Sequence, residues 1–180
     1  KAKAKELKEI DLLSCGTSSP DQLMPSHAVM VHGWLPETNN IEVVSPSGVC
    51  CAGMHELKYA YMSLKLGQAT KAIASGSERL STSLHADKFE LEVKKMGELE
   101  ENPYLAFEKD FLRWMLSDGS AAFLLETKKS ENGPSLRIEW IEGYSFANEV
   151  EACMYMGADK LEDGTLKSYQ EYAPQELLDG

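Results

Sequence analysis

The sequence predicts an α/β protein built on a mainly parallel sheet, and three observations lead there. Short β-branched or small-residue runs alternate with helical stretches from Ile10 to Ser77, the order strand, helix, strand, helix, strand that marks parallel strands with helical crossovers. One of those helices, over Cys51 to Leu66, carries Gly53, Leu57, Ala60 and Leu64 at helical spacing. The composition, 43% hydrophobic and 26% charged, is that of a packed globular chain and excludes a collagenous or wholly disordered one. A length of 180 residues leaves one or two domains open.

The opening KAKAKELKEIDLLSCGT reads as the tail of a Lys/Ala/Glu-rich helix entering a strand at about Ile10 to Cys15. A polar helical tail feeding a buried strand leads us to expect that the natural domain begins upstream of Lys1, with a short N-terminal helix as the alternative. Gly16 to Pro25 is turn-rich, Ser26 to Leu35 is helical and ends near Pro36, and Asn39-Asn40 marks a turn. Ile41, Val43 and Val44 form a short strand, and Ser45 to Gly48 the bend out of it. The Cys51 helix is expected to be half buried and to end at Gly67, which takes the left-handed conformation cheaply. Lys71 to Ser77 is the third strand.

From Ser81 to Leu116 the charge density rises and the period blurs, so this is expected to be a variable excursion with helical pieces. Asp118 to Glu126 is a small-residue strand. Leu136, Ile138 and Trp140 alternate with Arg137, Glu139 and Ile141 after the Asn132-Gly133-Pro134 turn, so the two segments are expected to pair as a hairpin. Beyond Ala147 the chain is acidic and loop-like. No internal repeat or domain linker is visible.

Eighteen basic and twenty-nine acidic residues give a net charge of -11, and four of the lysines crowd into Lys1, Lys3, Lys5 and Lys8. An acidic body repels a phosphate backbone, so no nucleic-acid partner is expected. With no run of about eighteen apolar residues and no signal-peptide pattern, no membrane partner is expected either, and the expected location is the cytoplasm. Cys15, Cys50, Cys51 and Cys153 show neither metal-ligand spacing nor the density of a disulfide scaffold. Free thiols and no metal are expected.

The segment Ser45-Pro46-Ser47-Gly48-Val49-Cys50-Cys51-Ala52-Gly53 carries the chemistry. It places a thiol where a strand bends into a helix. Helix N-termini stabilise negative charge through unpaired N–H groups and the helix dipole, so a thiol in such a place can attack as thiolate, and the same N–H groups can hold a developing oxyanion. Small Ala52 and Gly53 leave room for a substrate. Position alone favours a buried structural cysteine, since free Cys is among the most buried residue types.

Read together, VCCAGM (Val49 to Met54), AIASGSE (Ala72 to Glu78) and SDGSAAFLLE (Ser117 to Glu126) resemble the thiolase-superfamily condensing enzymes, and most closely the β-ketoacyl-acyl-carrier-protein synthase III group. The likeness runs with gaps from about Ile10 to about Ala147. It implies a thiolase-like layered fold, represented by an incomplete N-terminal half with a mixed, mainly parallel sheet and a buried central helix. The domain description that follows is 1-180 as a partial N-terminal domain, with the excursion at about 81-116 and a loop-like tail after about 147. In that family the cysteine preceding Ala-Gly is acylated by a thioester, which maps the nucleophile onto Cys51 rather than Cys50. LMPSHA (Leu23 to Ala28) resembles the segment that reaches the neighbouring subunit, which makes Met24 a substrate-binding candidate across a homodimer.

The resemblance further implies an acyltransferase that forms a carbon–carbon bond by decarboxylative Claisen condensation of an acyl thioester with a malonyl thioester. It implies no resident cofactor, with coenzyme A or acyl-carrier-protein thioesters as substrates and acyl-carrier protein as a partner. The family completes its site with a histidine and an asparagine from a second half, and none of His27, His32, His55 and His85 stands in that context; the chain is therefore expected to be a fragment lacking that half. Before Asp118, where the group often has Arg-Gly-Thr, this chain has Asp110-Phe111-Leu112, a departure at a coenzyme A contact. Thiolase-like or secondary-metabolite ketosynthase activity, or a non-catalytic thiolase-fold partner subunit, are the alternatives. Glu56 and Glu78 are taken as ordinary acidic residues, His55 as a solvated or packed side chain, and Phe107, Phe111 and Trp114 as core or interface.

Overall fold

Strand β1 (Leu12–Gly16) is buried at every residue, the signature of a central strand covered on both faces. It belongs to a computed structural model that describes residues 7–82, 114–131, 133–150 and 158–168. β1 is followed by helix α1 (His27–Gly33), strand β2 (Glu42–Val44), helix α2 (Ala52–Lys65), strand β3 (Lys71–Glu78) and strand β4 (Gly119–Glu126). The sheet order is β2-β1-β3-β4. β2 and β3 both run parallel to β1, whereas β4 is antiparallel to β3 over its whole length, from Lys71 opposite Glu126 to Glu78 opposite Gly119. The predicted mixed, mainly parallel sheet is present, and the predicted central helix is α2.

Strand alternation divides the core into two layers. Leu12 of β1 and Ala72 and Ala74 of β3 pack with Ala60 and Leu64 of α2 and with Leu125 of β4. Leu13 and Cys15 point to the other face and pack with Ala28 of α1. Full burial of a leucine is worth about 1.5–3 kcal/mol, so adjacent Leu12 and Leu13, at 0% and 1% exposure, tie both layers to one strand. The small residues of β3 let α2 come close: a Cβ on Gly76 would stand 3.4 Å from Gly53 Cα. α2 ends where expected, with Gly67 at φ 73, a conformation that favours glycine. At the other end of the strands, Asp11 accepts from the Thr70 hydroxyl (2.6 Å), the Thr70 amide (2.7 Å) and the Lys71 amide (3.2 Å). This pins the entry of β3 to the start of β1.

The expected hairpin between 118–126 and 136–141 does not form. β4 takes β3 as its partner, and residues 134–146 are irregular, with Leu136 and Trp140 exposed and only Ile138 packed against the core. A ladder of eight residue pairs against a central strand outcompetes a local pairing that the turn residues alone favoured. Lys1–Arg79 with Asp118–Gly143 form one compact unit, and Leu80–Ser117 with Tyr144–Gly180 form a second. In this second unit the stretch read as loop-like holds a small antiparallel pair, β5 (Ala158–Lys160) and β6 (Leu166–Ser168). Gly164 turns it at φ 84, and Asp163 accepts from the Thr165 amide (2.9 Å) and hydroxyl (2.6 Å). Nearly all of the Ser81 to Leu116 excursion, with Phe107 and Phe111, and also His85 and Cys153, lie outside the described residues; Trp114 is exposed.

Candidate active site

The parallel strands β1, β2 and β3 all end on the side where α2 begins, and the bend from Ser45 to Cys51 crosses those ends. Ser45 fixes one end of it: its Oγ accepts the Ala28 amide at 2.7 Å, satisfying a first-turn N–H of α1 that Ser26 leaves uncapped. Cys51 fixes the other as the N-cap residue of α2, its carbonyl accepting from the Met54 amide at 3.1 Å and the His55 amide at 3.0 Å. Its side chain makes no cap hydrogen bond. Cys50 and Cys51 are both free and exposed, whereas Cys15 is buried. Ala52 packs inward, and among the described residues a side chain at Gly53 would meet nothing within 4 Å.

Two carboxylates meet this end of the sheet, and their environments drive them apart. Burial alone would raise Glu78, but hydrogen bonds donated by Ser19 Oγ (2.7 Å) and the Ser18 amide (2.7 Å), with Thr17 Oγ1 at 3.5 Å, outweigh it and hold the carboxyl below its ordinary value. Glu78 thereby anchors the loop that leaves β1. Glu56 lies on the inner face of α2, fully buried, and among the described residues neither carboxyl oxygen has a hydrogen bond of good geometry. Burial pushes it up to about 7; the Gly16 amide offsets part of that, and the negative charge of Glu78 adds to it. Burial also raises the Cys15 thiol, against the Ser75 hydroxyl that donates to its Sγ at 2.9 Å.

Glu56 was missed because its residue type was weighed and its register was not. The buried face of α2 is Ala52, Glu56, Ala60, Ser63 and Leu64, a four-residue rhythm in which Glu56 occupies a core position. The other predicted residues are dispersed. Leu23 and Met24 are 90% and 86% exposed, outside the packing of their own unit. His55 is exposed, as the solvated reading expected; His27 Nε2 bonds Ser77 Oγ at 3.0 Å, and His32 Nε2 lies 3.3 Å from the Asn39 carbonyl. Among the described residues no group of three or more His, Cys, Asp or Glu could hold a metal ion. No helix among them is long and apolar enough to cross a membrane.

In architecture this is part of a thiolase-like α/β fold. A tetronic acid condensing enzyme superposes on 69% of the chain, and on 33% of its own, with TM-score 0.52 and 24% identity. The synthase III of Pseudomonas aeruginosa, a 3-oxoacyl-(acyl carrier protein) synthase, superposes on 72% of the chain and 34% of its own, with TM-score 0.51 and 18% identity. In sequence the chain is similar to β-ketoacyl-[acyl-carrier-protein] synthase III. The enzyme of Neisseria meningitidis is 36% identical over 73 residues, 41% of this chain, and the chain covers 23% of that relative's length. No family model matches.

Proposed function

We propose that this chain carries the acylation site of a condensing acyltransferase, with Cys51 as the nucleophile. The observation that carries the reading is the exposed, unbonded thiol of Cys51 at the start of α2, over the ends of three parallel strands, in a fold and a sequence that resemble condensing enzymes. The Cys51 thiol gives up its proton, the resulting thiolate attacks the carbonyl of an acyl thioester, the carrier sulfur leaves as thiolate and takes up that proton, and the acyl group stays on Sγ. A malonyl thioester then loses carbon dioxide, and the carbon of the resulting enolate attacks the acyl carbonyl. The new carbon–carbon bond forms as Cys51 leaves as thiolate. N–H groups at the α2 start would hold the oxyanion of each tetrahedral intermediate, while a histidine and an asparagine elsewhere in the whole enzyme would stabilise the enolate.

The donors in this reading are acyl-carrier-protein or coenzyme A thioesters, and the working form is a homodimer. β2, the strand that leads to Cys51, lies at an edge of the sheet, which suits a two-fold contact beside the nucleophile. Intact-mass measurement of the whole protein with a panel of acyl thioesters tests the reading. An adduct that maps to Cys51, disappears in Cys51→Ser and persists in Cys50→Ser is expected. Absence of any adduct would leave a thiolase-fold partner without catalysis.

A further inference from the structure

The fully enclosed carboxyl of Glu56 stands five positions after Cys51, on the helix that presents the thiol. We propose that Glu56 is a positioning residue for Cys51: its carboxyl fills a cradle between Gly16 of β1, Gly76 of β3 and the Gly53 turn of α2, and so sets how α2 seats on the strand ends. The proposal rests on the reading of Cys51 as the nucleophile.

The cradle is specific to the carboxyl. A Cβ on Gly16 would collide with Glu56 Oε1 and stand 2.9 Å from the Pro46 carbonyl, while a Cβ on Gly76 would lie 3.8 Å from Glu56 Oε2. Both strands therefore give up a side chain where the carboxyl sits, at the paired positions Gly16 and Gly76. A charge there would be enclosed with little beyond the Gly16 amide to offset it, which folding tolerates poorly, so the protonated form is favoured. The groups facing it sharpen this. Among the described residues, Cys15 on β1 and Glu78 on β3 are the titratable neighbours that interact with it, and hydrogen bonds from Ser18 and Ser19 favour the anionic form of Glu78. β4 brings only Glu126, which is at the opposite end of the ladder and paired with Lys71 at 2.7 Å. α1 brings His27, bonded to Ser77, and the bend brings the Pro46 carbonyl.

The sign of the pH dependence follows. The folded value, about 7, lies above the ordinary 4.5. The stability that depends on Glu56 is thus fully present below about 4.5 and lost as pH rises through about 7. Above that, an enclosed anion beside Glu78 loosens the seating of α2 and displaces Cys51.

The test compares the whole protein with Glu56→Gln, which keeps shape and neutrality, and with Glu56→Met should the amide variant not fold. Thermal midpoints are recorded from about pH 5 to pH 8, together with the rate of Cys51 alkylation by iodoacetamide, which needs no acyl substrate. The wild-type midpoint should fall by about 3 °C or more over this range relative to the variant. The alkylation ratio of wild type to variant should be near one at the acid end and change ~3-fold or more at the alkaline end. Superposable midpoint profiles would overturn the proposal, and so would a constant alkylation ratio. If both shifts appear while no acyl thioester labels Cys51, the acyltransferase reading fails and the positioning of Cys51 by Glu56 stands.

Discussion

A Cβ atom on Gly16 would stand on Glu56 Oε1. The last residue of β1 and the second buried residue of α2 are therefore fitted to each other, strand backbone against helix carboxyl. Gly16→Ala is expected to cost about 3 kcal/mol, since neither the enclosed carboxyl nor the Pro46 carbonyl 2.9 Å away can yield without moving α2 or the bend. Gly76→Ala meets its nearest atom at 3.4 Å, and should cost under about 1 kcal/mol. Denaturant titration of the two variants checks the contrast. Equal costs would mean that the carboxyl is not the obstacle.

The opposite end of the same strands is held by Asp11. The Thr70 hydroxyl, then the Thr70 and Lys71 amides, hold its carboxyl below the ordinary 3.8. A lowered folded value means that the stabilisation is fully present above about 3.8 and lost as pH falls through the lower folded value. Asp11→Asn should cost about 1 kcal/mol at neutral pH, a modest figure because the site is exposed. The difference from wild type should shrink in acid, opposite in direction to the effect expected at Glu56. Midpoints of the variant across the acid range decide it.

How much of this was legible in the sequence depends on whether the signal was local. α2 declared itself through Leu57, Ala60 and Leu64 at one end and Gly67 at the other, and Ala52–Lys65 is what formed. β3 and β4 were visible as small-residue runs with bounds within one residue of Lys71–Glu78 and Gly119–Glu126, yet their pairing was not, because partners such as Lys71 and Glu126 are far apart in the chain and leave no mark in either segment. Asn132-Gly133-Pro134 is a local turn signal, and it promised a hairpin that a distant central strand pre-empted. Glu56 shows the reverse failure. Its position on the inner stripe was legible from spacing, but a carboxylate is rarely enclosed without a partner, and only the glycines opposite, on two separate strands, reveal that room was made for one.

Replacing Cys51 by serine should leave the fold unchanged within about 0.5 kcal/mol. The residue caps α2 with helical dihedrals, φ -91 and ψ -1, and its side chain bonds nothing; a serine hydroxyl there lacks the extended backbone from which capping oxygens usually reach the N2 or N3 amide. Condensation, on the proposed reading, should be lost while the thermal midpoint stays put. A shift of the midpoint by several degrees would assign Cys51 a structural part that its exposure denies.

Met24 carries the last prediction. At 86% exposure, beside Leu23 at 90%, its thioether contributes little to the packing of its own unit, and Met24→Ala should leave stability nearly unchanged. Two large apolar neighbours projecting from one loop are the kind of surface that a second subunit covers, and the proposed reading would have this loop line the partner's acyl pocket. A methionine suits a pocket that accepts acyl chains of varied shape, since its three rotatable bonds fill irregular space. In the whole enzyme, Met24→Trp should then shorten the acyl chains accepted, by reducing acylation with longer donors ~10-fold while sparing the shortest. Mass-spectrometric acylation rates across a donor series supply the measurement. A chain-length profile unchanged from wild type would place Met24 away from the pocket and leave its exposure without a part in substrate choice.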